Sequence, residues 1–309
     1  MDGRWRILVF GPEGREAVRR LRAARPDVEW VAADRVDEVP PASFDAVFGA
    51  AIPPAVFARI DGVRWVQWWA AGVDNAVGVP DEAVLTRMAG VFTRDMAEYV
   101  LACVLDWVKG FPVARVQQAE RRWSPYPVGT VAGLRVGIAG GGQVGAGVAQ
   151  LLDQMGAEVT LLARRPRALP VAGAVFGADA VEAFLRGLSV LVLALPLTEA
   201  TRGFLSRERL AVLPPGAVII NVGRGALIDE DALWEALESG HVAHAYLDVA
   251  WEEPLSPSSR WWTHPRVTIT PHVAGPTRLA EAVNYSLVNL SRWEQGKPLR
   301  GVVDRARGY

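Results

Sequence analysis

The chain has 309 residues, half of them hydrophobic and 22% charged, with a formal net charge of -1 and a pI near 6.5. That balance excludes a disordered or fibrous protein, and the lack of a field of one sign excludes nucleic acid or an anionic membrane as a partner gathered by bulk electrostatics. At about 100–200 residues per domain the length predicts two domains.

The lone cysteine, Cys103, cannot form an intrachain disulfide, and the opening apolar run is too short for a signal-peptide core, so a cytoplasmic setting is expected. Apolar runs broken by Pro53, Pro54 and Pro196 are too short to span a bilayer. In chain order, residues 5–10 predict a buried strand, 13–24 a helix, 28–32 a second strand and 46–48 a third. Pro53 and Pro54 begin a helix, residues 65–69 form another strand, and this α/β unit ends near Gly90. From Met96 the period turns helical, with Tyr99, Val100, Cys103, Val104, Trp107 and Val108 on one face. Gly110 and Pro112 kink or end that helix, and residues 120–130 read as an exposed arm. A second α/β series follows, with strands at 134–139, near Val159, Val190, Val218 and Ala245, and at 267–269, before a last helix over 277–295. Strands alternating with helices make the class α/β with parallel sheets.

The strand Val136-Gly137-Ile138-Ala139 runs into Gly140-Gly141-Gly142-Gln143-Val144-Gly145, a G-x-G-x-x-G that opens a helix. Gly140 allows the tight turn, Gly142 lets backbone approach a pyrophosphate, and Gly145 lets helix and strand pack closely. In a chain with 30 glycines the spacing alone is weak, so the strand-loop-helix order carries the reading. An NAD-preferring loop places Asp or Glu about 20 residues further on. Here the next strand ends Leu161-Leu162-Ala163-Arg164-Arg165, and two guanidinium groups suit the 2′-phosphate of NADP; an ordinary solvated loop pair is the alternative.

Of the four histidines only His272, directly after the 267–269 strand, has a context that suggests chemistry; His241, His244 and His264 read as structural. Two other strand ends carry charge: Asn221-Val222-Gly223-Arg224-Gly225, where the flanking glycines are expected to permit unusual backbone angles, and Leu247-Asp248 with Glu252-Glu253-Pro254 downstream. An arginine, an acid and a histidine at successive strand ends beside a dinucleotide loop form a reaction-site pattern.

These motifs, with Ala71-Gly72-Val73-Asp74-Asn75, Met96-Ala97-Glu98-Tyr99, Ala194-Leu195-Pro196-Leu197-Thr198 and Thr270 to Gly275, resemble the D-isomer-specific 2-hydroxyacid dehydrogenase family, and within it the glyoxylate/hydroxypyruvate reductases. The resemblance implies two Rossmann-like doubly wound parallel-sheet domains. A dinucleotide-binding domain, 96–276, would be inserted into a flavodoxin-like substrate domain, 1–95 and 277–309, with hinge closure around the cofactor and a homodimer formed through the Met96 helix and the arm around Trp123. It places the catalytic arginine, glutamate and histidine on Arg224, Glu253 and His272, and the substrate-carboxylate loop on Ala71 and Gly72. It extends the NADP or NAD contacts beyond the glycines, Arg164 and Arg165 to Gln143, Val144, Leu195, Pro196, Val222, Gly223, Asp248, His272 and Ala274, and implies no metal. In the chemistry so implied, His272 protonates the carbonyl of a small 2-oxo acid, Glu253 holds its ring, Arg224 pairs with the carboxylate, and Asp248 orients the nicotinamide amide or Arg224. The departure is Ala163, where NAD-using members carry Asp.

A short-chain dehydrogenase is excluded because no lysine lies four residues after a tyrosine, and Glu253 in place of glutamine disfavours formate-dehydrogenase-like chemistry of the same family. A D-lactate or phosphoglycerate type of the same family, and a dinucleotide-sensing binding protein, remain alternatives. The uncharged loop 48–54 argues against a strongly phosphorylated substrate.

Overall fold

In the computed structural model, which describes residues 5–164 and 173–309, most strands are short apolar runs buried on both faces, as parallel strands covered by helices must be. The first elements are β1 (Arg6–Phe10), α1 (Gly14–Ala24), β2 (Glu29–Ala33), β3 (Ala46–Gly49), α2 (Pro54–Phe57), β4 (Trp65–Trp68) and β5 (Val84–Arg87). Then come α3 (Thr93–Val108), α4 (Phe111–Ala119), β6 (Arg135–Ala139), α5 (Gln143–Gln154), β7 (Glu158–Leu162), β8 (Val175–Phe176), α6 (Val181–Leu185) and β9 (Val190–Leu193). The chain continues through α7 (Arg207–Val212), β10 (Ala217–Asn221), α8 (Glu230–Glu238), β11 (Val242–Leu247), β12 (Val267–Ile269) and α9 (Leu279–Glu294).

The chain divides into two compact units, Met1–Val91 with Thr277–Tyr309, and Phe92–Pro276. The first holds a parallel sheet of order β2-β1-β3-β4-β5, the flavodoxin-like winding. The second holds a parallel sheet of order β12-β11-β10-β9-β6-β7-β8, a Rossmann winding with one strand more. Its winding reverses between β6 and β9, which is where such sheets open a crevice. Period-2 alternation fills both faces of this sheet: Leu191, Leu193 and Ile219 face one core, Val190, Val192, Val218 and Ile220 the other. Among the described residues no helix is long and apolar enough to cross a membrane.

Three sequence readings change in detail. Gly110 and Pro112 do more than end the Met96 helix: Gly110 takes φ +68 and Pro112 stands in the first turn of a new helix, α4, so only the stretch beyond Ala119 is irregular. Strand β5 and the short helices α6 and α7 were not anticipated. Glycines 223 and 225 do not adopt unusual angles, since neither has a positive φ. Their reason is crowding, as described below.

The three histidines read as structural are placed inside the second unit. His264 is buried, His241 bonds the Leu210 carbonyl, and His244, inside β11, bonds Thr268 Oγ1 at 2.9 Å. Beside it Tyr246 donates to Asp106, which also takes both Nη groups of Arg115, so α3, α4 and β11 are tied together. Burial pushes His244 down to about 4, with Asp106 opposing the shift and Arg115 and His264 adding to it. A histidine depressed in the folded state contributes stability that is fully present above its unfolded value, 6.5, and is lost as pH falls toward 4. At ~1.4 kcal/mol per unit the loss reaches up to ~3 kcal/mol. Urea unfolding at pH 7 and pH 4.5 should therefore show a smaller drop in stability for His244→Phe than for the wild type, by up to ~3 kcal/mol. An equal drop in both would place the acid sensitivity elsewhere.

Candidate active site

Strand register in the second unit sets Leu162, Ala139, Leu193, Asn221, Leu247 and Ile269 side by side as one row across β7, β6, β9, β10, β11 and β12. Every described site residue expected in this unit follows that row by a few positions, on the carboxyl edge where ligands of open α/β sheets sit. After β6, an added Cβ would strike the Ala194 carbonyl at Gly140, the Gly140 carbonyl at Gly145 and the Ala163 side chain at Gly141, whereas at Gly142 it would meet nothing. The loop is thus packed tight except where it faces open space. Helix α5 begins at Gln143 with no side-chain cap, and among the described residues the amides of Gln143, Val144 and Gly145 have no acceptor. Uncapped N–H groups at a helix start are the donor set that a pyrophosphate needs, so this chain fits a dinucleotide. Gly147 in α5 also lacks room for a Cβ, against Thr93 of α3, a requirement that the glycine motif did not signal.

Leu195 and Pro196 follow β9, and Leu195 N lies 3.2 Å from where a Cβ on Gly140 would stand. Arg164 follows β7 and is exposed; Arg165 lies outside the described residues. Ala163 presents no carboxylate there.

After β10, Asn221 shapes the turn: its Oδ1 accepts from Gly223 N at 3.1 Å and its Nδ2 donates to the Arg224 carbonyl at 2.9 Å. A Cβ on Gly223 would meet Leu227 and the Leu195 carbonyl, and one on Gly225 would overlap the Ala250 carbonyl and Trp251 nitrogen. The turn holding Arg224 is therefore pressed onto the loop that leads to Glu253. Within that loop Ala250 N donates to Glu253 Oε1 at 3.0 Å, and Trp251 donates to the Ile228 carbonyl while stacking on Trp261.

Glu253 Oε2 in turn accepts from His272 Nδ1 at 2.7 Å. That bond sets the ring: with Nδ1 spent on the carboxylate, Nε2 remains as the position for exchanging a proton with a ligand. His272 stands at φ +53, a left-handed conformation that is strained for a non-glycine residue. The strain is held by Asp248. Its carbonyl accepts from His272 N at 2.8 Å, its Oδ1 from Val273 N and Thr270 Oγ1, and its Oδ2 from Ala274 N. Since the Thr270 hydroxyl donates to Asp248, Tyr99 must donate to Thr270 across their 2.6 Å contact, and burial keeps the Tyr99 hydroxyl protonated by raising its pKa well above 10. Sequence reasoning gave Asp248 a role toward cofactor or arginine, and missed its grip on the His272 turn and the part of Tyr99 and Thr270 in it. The pair His272–Glu253 lines a cavity of about 470 Å³, with Trp251, Leu255, Trp261 and Trp262 among its apolar walls.

Ala71 and Gly72 belong to the first unit, directly beyond β4.

Residues 101–274 match the family model for the NAD-binding domain of D-isomer-specific 2-hydroxyacid dehydrogenases. Among solved structures the chain is similar to a D-isomer-specific 2-hydroxyacid dehydrogenase from Xanthobacter autotrophicus in complex with NADPH and MES. That likeness has 36% identity over 98% of this chain and 99% of that one, with a TM-score of 0.88. It is similar to an NADPH-dependent glyoxylate/hydroxypyruvate reductase from Sinorhizobium meliloti in complex with NADP and sulfate, with 31% identity over 99% and 100% of the two chains and a TM-score of 0.92. A probable 2-hydroxyacid dehydrogenase from Rhizobium etli, in complex with NADP, HEPES and tartaric acid, matches at 28% identity over 99% and 100%, with a TM-score of 0.88.

Proposed function

The chain belongs to the D-isomer-specific 2-hydroxyacid dehydrogenases, a family of NAD(P)-dependent oxidoreductases, and we propose that it reduces a small 2-oxo acid of the glyoxylate or hydroxypyruvate type with NADPH. The observation that carries the reading is the 2.7 Å bond from His272 to Glu253, which supplies an oriented, carboxylate-backed imidazole at the edge where a dinucleotide loop opens. When bound, the dihydronicotinamide supplies a hydride to the carbonyl carbon. The protein does the rest. Arg224 pairs with the substrate carboxylate and polarises the carbonyl, and the Ala71 and Gly72 amides of the first unit are by themselves donors suited to a substrate carboxylate. His272 gives the proton on Nε2 to the carbonyl oxygen as charge develops there, Glu253 stabilises the cationic ring before transfer, and Asp248 keeps the ring in place. The product is the D-2-hydroxy acid, and Nε2 regains its proton from solvent.

His272→Ala and Arg224→Ala should each lower kcat/KM for 2-oxo acid reduction by roughly 10²–10⁴ while NADPH binding, read by quenching of protein fluorescence, survives. Undiminished turnover in His272→Ala would remove it as the acid. A panel of 2-oxo acids then separates glyoxylate or hydroxypyruvate from lactate-type and phosphoglycerate-type substrates.

NADPH is favoured over NADH because Ala163 neither binds a ribose diol nor repels a 2′-phosphate, because Arg164 stands beside it, and because the relatives above hold NADPH or NADP. Arg164→Ala with Arg165→Ala should raise KM for NADPH about tenfold and leave KM for NADH nearly unchanged. Equal use of both cofactors by the wild type would make the two arginines ordinary surface residues.

The homodimer is likewise a proposal. It is supported by α4 and the arm, which expose Phe111, Val113, Val116 and, at 98%, Trp123, more apolar surface than a lone helix presents to water without reason. Sedimentation at micromolar concentration should give twice the chain mass, and a monomer there would overturn it.

A further inference from the structure

The chain leaves β4 through Trp69 and Ala70 into Ala71, Gly72 and Val73, and the backbone bonding of this stretch is lopsided. Four of its five carbonyls, all but that of Gly72, are tied to the protein: Trp69 O accepts from Thr277 Oγ1, Ala70 O from Met88 N, Ala71 O from Arg87 Nη1 and Val73 O from Ala76 N. Its amides are not. Among the described residues the N–H groups of Ala71, Gly72 and Val73 have no acceptor. Successive N–H groups left over while their carbonyls are bound elsewhere make a concavity that seeks an anion.

Arg87 is the side chain that imposes this pattern at the centre of the loop. It ends β5, paired with Trp68 of β4, and is half-buried. Its bond to the Ala71 carbonyl is 3.2 Å long, and no carboxylate of the described residues lies within ion-pair distance of it. The charge interaction it does show is with Tyr285, whose hydroxyl accepts from Ala89 N. Burial pulls the guanidinium below the ordinary arginine value, as befits a cation that has lost water without gaining a counter-ion. A half-buried cation with spare donors and no anion of its own is costly for packing alone.

We infer that Arg87 is a positioning residue of the substrate-carboxylate subsite, holding the Ala71–Gly72 peptide so that the Gly72 amide faces the anion. The peptide is planar and trans, so its C=O and N–H point in opposite directions, and fixing the Ala71 carbonyl fixes the Gly72 N–H. The guanidinium also polarises that peptide, making the amide a better donor, and its uncompensated charge favours an anion at the loop. The inference rests on the proposed function, in which this loop meets the carboxylate of a 2-oxo acid.

The test compares Arg87→Gln and Arg87→Lys with the wild type in steady-state kinetics with NADPH and the preferred 2-oxo acid. For Arg87→Gln, KM for the 2-oxo acid should rise about tenfold or more while KM for NADPH stays within about twofold. Arg87→Lys, which keeps a cationic donor for the carbonyl, should recover most of the difference and stands in if the Gln variant fails to fold. An unchanged KM for the 2-oxo acid in a folded variant, or a parallel rise in both KM values, would overturn the assignment and leave the proposed function standing. Should the wild type reduce no 2-oxo acid at all, the functional reading itself fails and the subsite falls with it.

Discussion

Asp248 is 2% exposed, and its buried carboxylate is tolerated because the turn that follows β12 supplies donors to both oxygens. An ionised group so deep would cost several kcal/mol if left unsatisfied. The same three bonds form because residues 270–274 fold back over the end of β11, a turn in which His272 takes the left-handed backbone. The electrostatic demand of one buried acid thus outweighs the ~1–3 kcal/mol of strain at the histidine, and it aims the imidazole. The Tyr99–Thr270 bond extends the arrangement to α3, so the histidine's direction is set by the core of the unit and not by its exposed loop.

Around this point the glycines act mainly as absences. Gly225 lets the Arg224 turn touch the Ala250 backbone, and Gly145 lets α5 touch the Gly140 carbonyl; in both cases a methyl group would have to displace backbone, which cannot yield as a side-chain end can. Close approach of loops, more than freedom of φ, is what brings Arg224, Glu253 and His272 to neighbouring strand ends.

The architecture was legible because apolar runs and helical periods are local signals: β1, β6, β9 and β10 are continuous Val, Ile and Leu-rich segments, and the α3 face repeats as expected. What escaped the sequence was short or non-local. Strand β5 reads Val-Leu-Thr-Arg, and its polar half makes sense only once Thr86 is seen buried against Trp65 and Gln67, and Arg87 against Ala71. Helices α6 and α7 span five and six residues, too few for a period to declare itself. At the site, residue types and order were visible, yet the clamp of Asp248 on the His272 turn joins two strands distant in the chain, and no spacing rule announces it.

A chain with net charge -1 that is proposed to take a dinucleotide and a carboxylate has no bulk field to offer them. Two stretches of backbone supply local ones: the uncapped amides that begin α5, and the amides of Ala71 to Val73, beside the occupied carbonyls of Ala71 and Val73. Backbone dipoles held by planar peptides cost no side-chain entropy to orient, and their reach is a few ångströms, so they select for shape as well as charge. Side-chain cations then need to be few. Each donates to a neighbouring carbonyl, Arg224 to Gly223 and Arg87 to Ala71, which restrains the direction of the guanidinium.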